Sequence, residues 1–334
     1  MRAGGVLSAP QEVVPALQSA VSPLAHKSSG AASDRIASYL IKTCACLAIV
    51  SLVLIFIFIG KEALPVFTSA EIRQEASLGE LFLPGAKPPA FAWQPVSGPP
   101  RYSLLPLLAG TLKATLIAVL VAIPLAIAAA LFTSEFAPSW AREFIKPVIE
   151  LLAGIPSVVV GFFCLMVLAG WLQGAFGWTF RLNALTAGLG LSLAVIPIVY
   201  TMAEDAFNAV PRTYREGSLA MGATRWQTAW RIVLPASSAG LLAACVLGFG
   251  RAIGETMIVL MASGNAAILS LSPTDSIRTF SATIAAELGE VVVGSSHYHV
   301  LFFIGAFLFV LTFMTNLAGH WCIGRLQRKL QGGT

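Results

Sequence analysis

Charge is the scarcest thing in this 334-residue chain: Asp, Glu, Lys and Arg make up 11% of it, against 57% hydrophobic residues and a mean hydropathy of +0.80. That balance excludes an ordinary soluble globule, in which roughly a quarter of the residues are charged. A second absence is the phosphate-cradling loop. No GxxxxGKS or GxxxxGKT occurs, and the Gly60–Lys61 pair is followed by Glu62, so the chain has no P-loop to hold ATP. Metal ligands are sparse as well. Cys44, Cys46, Cys164, Cys245 and Cys322 all fall in apolar runs and read as small fillers, and His297 and His299 of "HYH" lack a third ligand and read as a polar interfacial turn. No nucleophile and base are paired as a membrane enzyme would need, so no catalytic residue, metal or cofactor is assigned. No inverted repeat is visible either, which counts against a gradient-driven secondary carrier, although that remains the alternative from another class.

What the chain has instead is length without charge. Stretches free of Asp, Glu, Lys and Arg run over Thr43–Gly60, Ala114–Ser134, Leu151–Phe180, Leu182–Ala203, Ile232–Gly250 resuming at Thr256, and Val291–Gly324. A span takes about 20 apolar residues, and these runs are continuous rather than alternating, which predicts an all-α polytopic protein with six transmembrane helices. With both termini cytoplasmic, the inner segments hold Arg142, Lys146, Arg212, Arg215, Arg225 and Arg231 and the basic residues of both tails. The outer segments hold only Lys61, Arg73, Lys87, Arg101, Arg181 and Arg278. The positive-inside rule therefore sets the orientation, and the net charge of +5 reflects membrane topology rather than nucleic-acid binding.

Along the chain, residues 1–35 read as a disordered cytoplasmic tail and 36–62 as the first transmembrane helix. Residues 63–103 read as a Pro-rich extracytoplasmic loop with little regular structure. A five-helix core over 104–326 and a short cytoplasmic tail, 327–334, complete it. In "ELLAGIPSVVVGFF", Gly154, Pro156 and Ser157 predict a kink or break early in the third span; it can line a transport path or only relieve packing.

Between spans four and five, "VPRTYREGSLAMGATRWQTAWRIVLP" (210–235) predicts two short helices hinged at Gly222, with Trp226 and Trp230 one turn apart in the second. Such an elbow is either a compact docking surface or an amphipathic helix lying on headgroups. Glu216, Gly222 six residues later, and then Ile232, Leu234 and Pro235 resemble the EAA-G-I-LP signature of ABC importer permeases, with Gly217 and Ser218 in place of its two alanines. The blocks "YSLLPLLAGTLKATLIA", "IELLAGIPSVVVGFF", "GFGRAIGETMIVLMASGN" and "IRTFSATIAAELGEVVVGSSHYHVLFFIGAFLFVLTF" narrow this to the phosphate permeases of the PstC type. The resemblance covers nearly everything from the first span onward. It implies a type I ABC importer permease fold in the bacterial inner membrane, in contact with membrane lipid. The implied partners are a paralogous permease, two cytoplasmic ATPase subunits and an extracytoplasmic phosphate-binding protein. Arg215, Glu216, Gly222, Ala223, Trp226 and Pro235 would then form the ATPase-coupling elbow, with Glu216 a polar contact or helix cap and Pro235 the start of span five. A permease for another oxyanion and the sister phosphate permease remain alternatives.

"GFGRAIGET" (248–256) places Arg251 and Glu255 inside an otherwise apolar run. A charge near a span centre costs roughly 2.5 to 3.5 kcal/mol on insertion scales and usually faces a cavity or partner. The guanidinium suits an oxyanion, so Arg251 and Glu255 are candidates for the substrate path or gate. The plainer reading is an intrahelical ion pair at i, i+4 that only makes both charges tolerable. If the chain were helical throughout, Arg251 would lie about 24 Å beyond Pro235, deep in the membrane. Lys113, Asn265 and Ser157 are weaker path candidates: a lysine in the place of Lys113 more often snorkels to headgroups, and a helix cap is the plainer reading of Asn265.

Overall fold

The computed structural model describes residues 31–84 and 90–330, so the calls on the tail up to residue 30, on 85–89 and on 331–334 lie outside the described residues. The chain divides into two units, 1–57 and 58–334. The described part of the first unit is one apolar helix, α1, which begins at Ala31, inside the segment read as tail, and runs on to Ala63.

In the second unit, α2 (Leu105–Glu135) carries Ala114, Ala118, Ala122, Ala126 and Ala130 at strict four-residue spacing, all buried. Small residues on one helical face let another backbone come close. That neighbour is α5 (Ala184–Asn208), the most enclosed span of the molecule and the one in most extensive contact with α2. Between them in sequence come the amphipathic α3 (Ser139–Ala153) and the span α4 (Ser157–Phe176). The break predicted near Pro156 is present, but Pro156 caps the start of α4 instead of kinking a span that begins at Leu151. A widened π turn over Cys164–Leu168 frees carbonyls within α4, and the Arg181 guanidinium donates to those of Leu165 and Met166 at 2.5 and 3.3 Å.

After α5 the elbow forms as two helices, α6 (Arg212–Ala220) and α7 (Arg225–Ala236). Gly222 turns the chain between them at φ +85°. A reciprocal capping box of Thr224 and Gln227 starts α7. A 69° bend at Ser237 leads into α8 (Ser238–Gly254), so Pro235 closes the elbow and Ser238 opens the span.

The largest departure from the sequence expectation follows. Span five does not continue through Glu255: α8 stops at Gly254, Glu255 is extended at ψ 133°, and a short helix α9 (Met257–Ala262) begins afresh. A non-helical segment leads to α10 (Phe280–Glu287), and α11 (Ser296–Leu330) closes the chain. Among the described residues five helices are long and apolar enough to cross a membrane, and α7 with α8 makes a sixth if that bent pair counts as one span.

The loop before α2 is also more ordered than its prolines suggest. It forms helical turns over Pro65–Thr68, Ala70–Glu75 and Leu78–Phe82, then a hairpin of β1 (Trp93–Gln94) and β2 (Arg101–Tyr102). The reason is burial: Val66, Ile72, Leu81, Trp93 and Tyr102 share one core cluster with Val300 and Ile304 of α11.

Candidate functional site

Arg251 occupies the last turn of α8, where the negative end of the helix dipole favours a cation. It lies 13 residues past Ser238 at the start of α8, about 20 Å at 1.5 Å per residue, which replaces the distance measured through an unbroken helix. Glu255 follows as the C-cap, so the two charges are not a pair on one helical face. The Arg251 Nη2 to Glu255 Oε2 distance is 3.1 Å, close enough for an ion pair, yet Oε2 has no aligned hydrogen-bond partner.

The pair is unequal. The Glu255 side chain is 3% exposed and that of Arg251 48%. Glu255 Oε1 accepts from the Thr256 N–H, and its backbone carbonyl accepts from Ser281 Oγ of α10 at 2.8 Å. The carboxylate is thus fixed in the protein, and the guanidinium is an arm resting on it.

The weaker candidates separate. Lys113 Nζ donates to the carbonyls of Ser270 and Ser272 at 2.6 and 2.9 Å, so it ties α2 to the segment after α9 instead of reaching for headgroups. Asn265 lies beyond the end of α9 at φ 52°, with its side-chain Oδ1 buried and unpartnered; it does not cap the helix through that oxygen. Ser157 opens α4 one turn before Gly161, whose Cα packs against the α9 backbone at Met257 and Ile258.

In the elbow, Arg215 turns inward. Its Nε and Nη2 donate to Glu135 at the end of α2, and its remaining donors reach the carbonyls of Phe207 and Val210. It holds the elbow to the core and is not displayed for a partner. Glu216 is exposed in the middle of α6 and caps nothing, whereas Ala223 is half-buried. Trp226 packs on Phe136 and Trp230 at ring-centroid distances of 5.8 and 5.7 Å.

Two charge clusters had no sequence signal beyond isolated charges. Glu204, buried on α5, pairs with Lys146 of α3 at 3.0 Å, and that hydrogen bond, set against desolvation, raises the lysine pKa. Glu287 receives Trp93 Nε1 at 3.0 Å, Arg278 Nη2 at 2.7 Å and His297 Nε2 at 2.8 Å. Burial alone would raise the Glu287 pKa, but the His297 and Trp93 hydrogen bonds and the Arg278 charge bring it below the ordinary value. Burial, then the Glu75 and Glu287 charges, pushes Tyr102 up to about 12. His299 bonds the Glu62 carbonyl at 2.8 Å, and no group of three or more His, Cys, Asp or Glu among the described residues could hold a metal.

Residues 122–331 match the family described as binding-protein-dependent transport system inner membrane component. The chain belongs to this family. As a member it is a multi-pass inner-membrane component of a transport system. It is 36% identical over 276 residues to the probable ABC transporter permease protein YqgH of Bacillus subtilis, covering 82% of this chain and 86% of that one. It is 35% identical over 256 residues to the phosphate transport system permease protein PstC of Xylella fastidiosa strain Temecula1, covering 71% and 78%. The fold matches a chain from a crystal structure of a bacterial alginate ABC transporter, in complex with an alginate pentasaccharide-bound periplasmic protein, at TM-score 0.58 and 16% identity, covering 87% and 96%.

Proposed function

We propose that this permease carries inorganic phosphate inward as the PstC-type subunit of an ATP-driven importer. The observation that carries the reading is the Arg251 arm on its buried Glu255 seat. A half-exposed guanidinium can take an oxyanion, and a fixed carboxylate beside it competes for the same donors, so the anion is released as well as bound. The names of the permease relatives agree with that chemistry.

In this reading Arg251 faces a paralogous permease across the path. ATP hydrolysis is supplied by two cytoplasmic ATPase subunits, and phosphate is delivered by an extracytoplasmic binding protein. The ATPase stroke reaches the core through the elbow, where exposed Glu216 meets the ATPase and the Arg215–Glu135 lock passes the movement to α2. Glu216→Gln is expected to leave the spans folded and to uncouple ATP hydrolysis from uptake.

The test is ATP-dependent uptake of labelled phosphate, sulfate and molybdate into vesicles carrying the reconstituted complex. Phosphate uptake lowered about tenfold or more by Arg251→Gln, with the other anions not carried, supports the reading. Sulfate or molybdate uptake without phosphate uptake overturns the substrate and leaves the permease assignment intact.

A further inference from the structure

Two cavities lie side by side around the elbow, and they differ in chemistry. One, of about 560 Å³, is lined by Arg142, Arg212, Arg215 and Arg225 with Glu135 and Glu216. Glu135 is taken up by Arg215, and the Arg142 Nε and Nη2 donors go to the carbonyls of Thr133 and Ser134. Arg212, Arg225 and Glu216 have no ion-pair partner among the described residues, and the four arginines of the lining outnumber its two glutamates, which leaves the cavity with a surplus of positive charge. The other cavity, of about 360 Å³, has an almost wholly apolar wall that includes Ile127, Ala128 and Phe132 of α2 and Trp226, Trp230 and Leu234 of α7. Consecutive residues, Glu135 with Phe136 and Arg225 with Trp226, line the first and the second respectively.

A cationic slot next to an apolar one, at the end of a membrane span and marked by two tryptophans, matches the amphipathy of an anionic lipid. Tryptophans gather at headgroup level, and guanidinium groups take phosphate oxygens there. We propose that this pair of cavities binds one anionic phospholipid, its phosphate on Arg212 and Arg225 and an acyl chain between α2 and the tryptophan face of α7. The lipid fills the space between the elbow and α2, so the composition of the leaflet sets how firmly the elbow is seated. Charge complementarity selects this occupant over a neutral lipid, and the apolar slot selects it over a free anion.

The experiment compares wild-type full-length chain with Arg212→Gln/Arg225→Gln and with Ala128→Phe, which fills the apolar slot without changing charge. Retained lipid is read by native mass spectrometry after incubation with phosphatidylglycerol or phosphatidylcholine vesicles. The double arginine variant is expected to lose phosphatidylglycerol retention by about twenty-fivefold, the product of about fivefold for each Arg near an anionic surface. Ala128→Phe is expected to lose it as well, and phosphatidylcholine retention stays the same in all three. Wild-type retention in either variant overturns the proposal. Binding of inorganic phosphate by the delipidated chain that needs the arginines but ignores Ala128→Phe assigns the pocket to the free anion and also overturns it. A crosslink from Arg225→Cys to an acidic segment of a partner protein, with no lipid retained, overturns it in favour of a protein contact.

Discussion

Two arginine–glutamate pairs, built from the same side chains, do opposite things in this molecule. Arg215 spends its donors on Glu135 and two carbonyls and is only 20% exposed. Arg251 makes one contact to Glu255, at 3.1 Å, and is 48% exposed. The first is a lock, because leaving it means abandoning several charge-assisted bonds at once. The second is loose on one side only: Glu255 cannot move far, but Arg251 is held by that single contact. A charge pair is therefore no evidence of function until the number of bonds each partner makes has been counted.

The sharpest way to break this contrast is to cut each pair from its arginine side. Arg215→Met removes the hydrogen-bonded partner of Glu135, and breaking this half-buried pair is expected to cost somewhat less than the roughly 3 kcal/mol of a fully buried one. The expected result is a chain that expresses poorly and unfolds at clearly lower temperature in detergent. Thermal unfolding within error of wild type would show that Arg215 is no lock. Arg251→Gln is expected to do the reverse. Uptake falls roughly tenfold or more, as for the loss of a charged hydrogen bond worth about 1.5 to 3 kcal/mol, while the unfolding temperature barely moves. A large drop in thermal stability with uptake intact would reduce Arg251 to a structural ion.

Much of this was legible in the sequence, for physical reasons. Spans announce themselves because lipid tolerates no charge, and the elbow shows in the spacing of Glu216, Gly222 and Pro235. The break at Gly254 was not legible, because the apolar run resumes at Thr256 and no proline marks the site. Its partner comes from outside the segment: Ser281 of α10 holds the Glu255 carbonyl that an unbroken helix would have used. Arg215 looked displayed for the same reason, since Glu135 lies 80 residues away. Glu287 gathers Trp93, Arg278 and His297 from three separate stretches, and no local periodicity can foresee such a hub.

That hub is a third arginine–glutamate pair, and it sharpens the comparison by pH. Arg278 and Glu287 are each 15% exposed, so they belong with the lock. The Glu287 pKa in the folded chain lies below the ordinary 4.5, so its stabilisation is fully present above that pH and is lost as pH falls through the lower folded value. Acidification below about 4.5 is therefore expected to loosen the β1–β2 hairpin, which Trp93 ties to Glu287. Limited proteolysis of that hairpin across pH reads it, and Glu287→Gln should be cut faster already at neutral pH. Equal cutting rates for wild type and variant at neutral pH would remove Glu287 from the fastening.

The smallest expected effect tests the backbone turn that joins the two helices of the elbow. Gly222 sits at φ +85°, yet a Cβ placed there meets nothing within 4 Å. The cost of Gly222→Ala is then conformational alone, about 1 kcal/mol for holding an L-residue in left-handed backbone. For a chain of this size that corresponds to a fall of about 2 to 4 °C in Tm. Asn tolerates the same region better, so Gly222→Asn should recover part of the loss. If Ala and Asn lower Tm equally, the turn is not limited by its dihedral angle. If neither lowers it, the turn relaxes freely, and the elbow is held to α2 by the Arg215–Glu135 lock and not by the geometry of this turn.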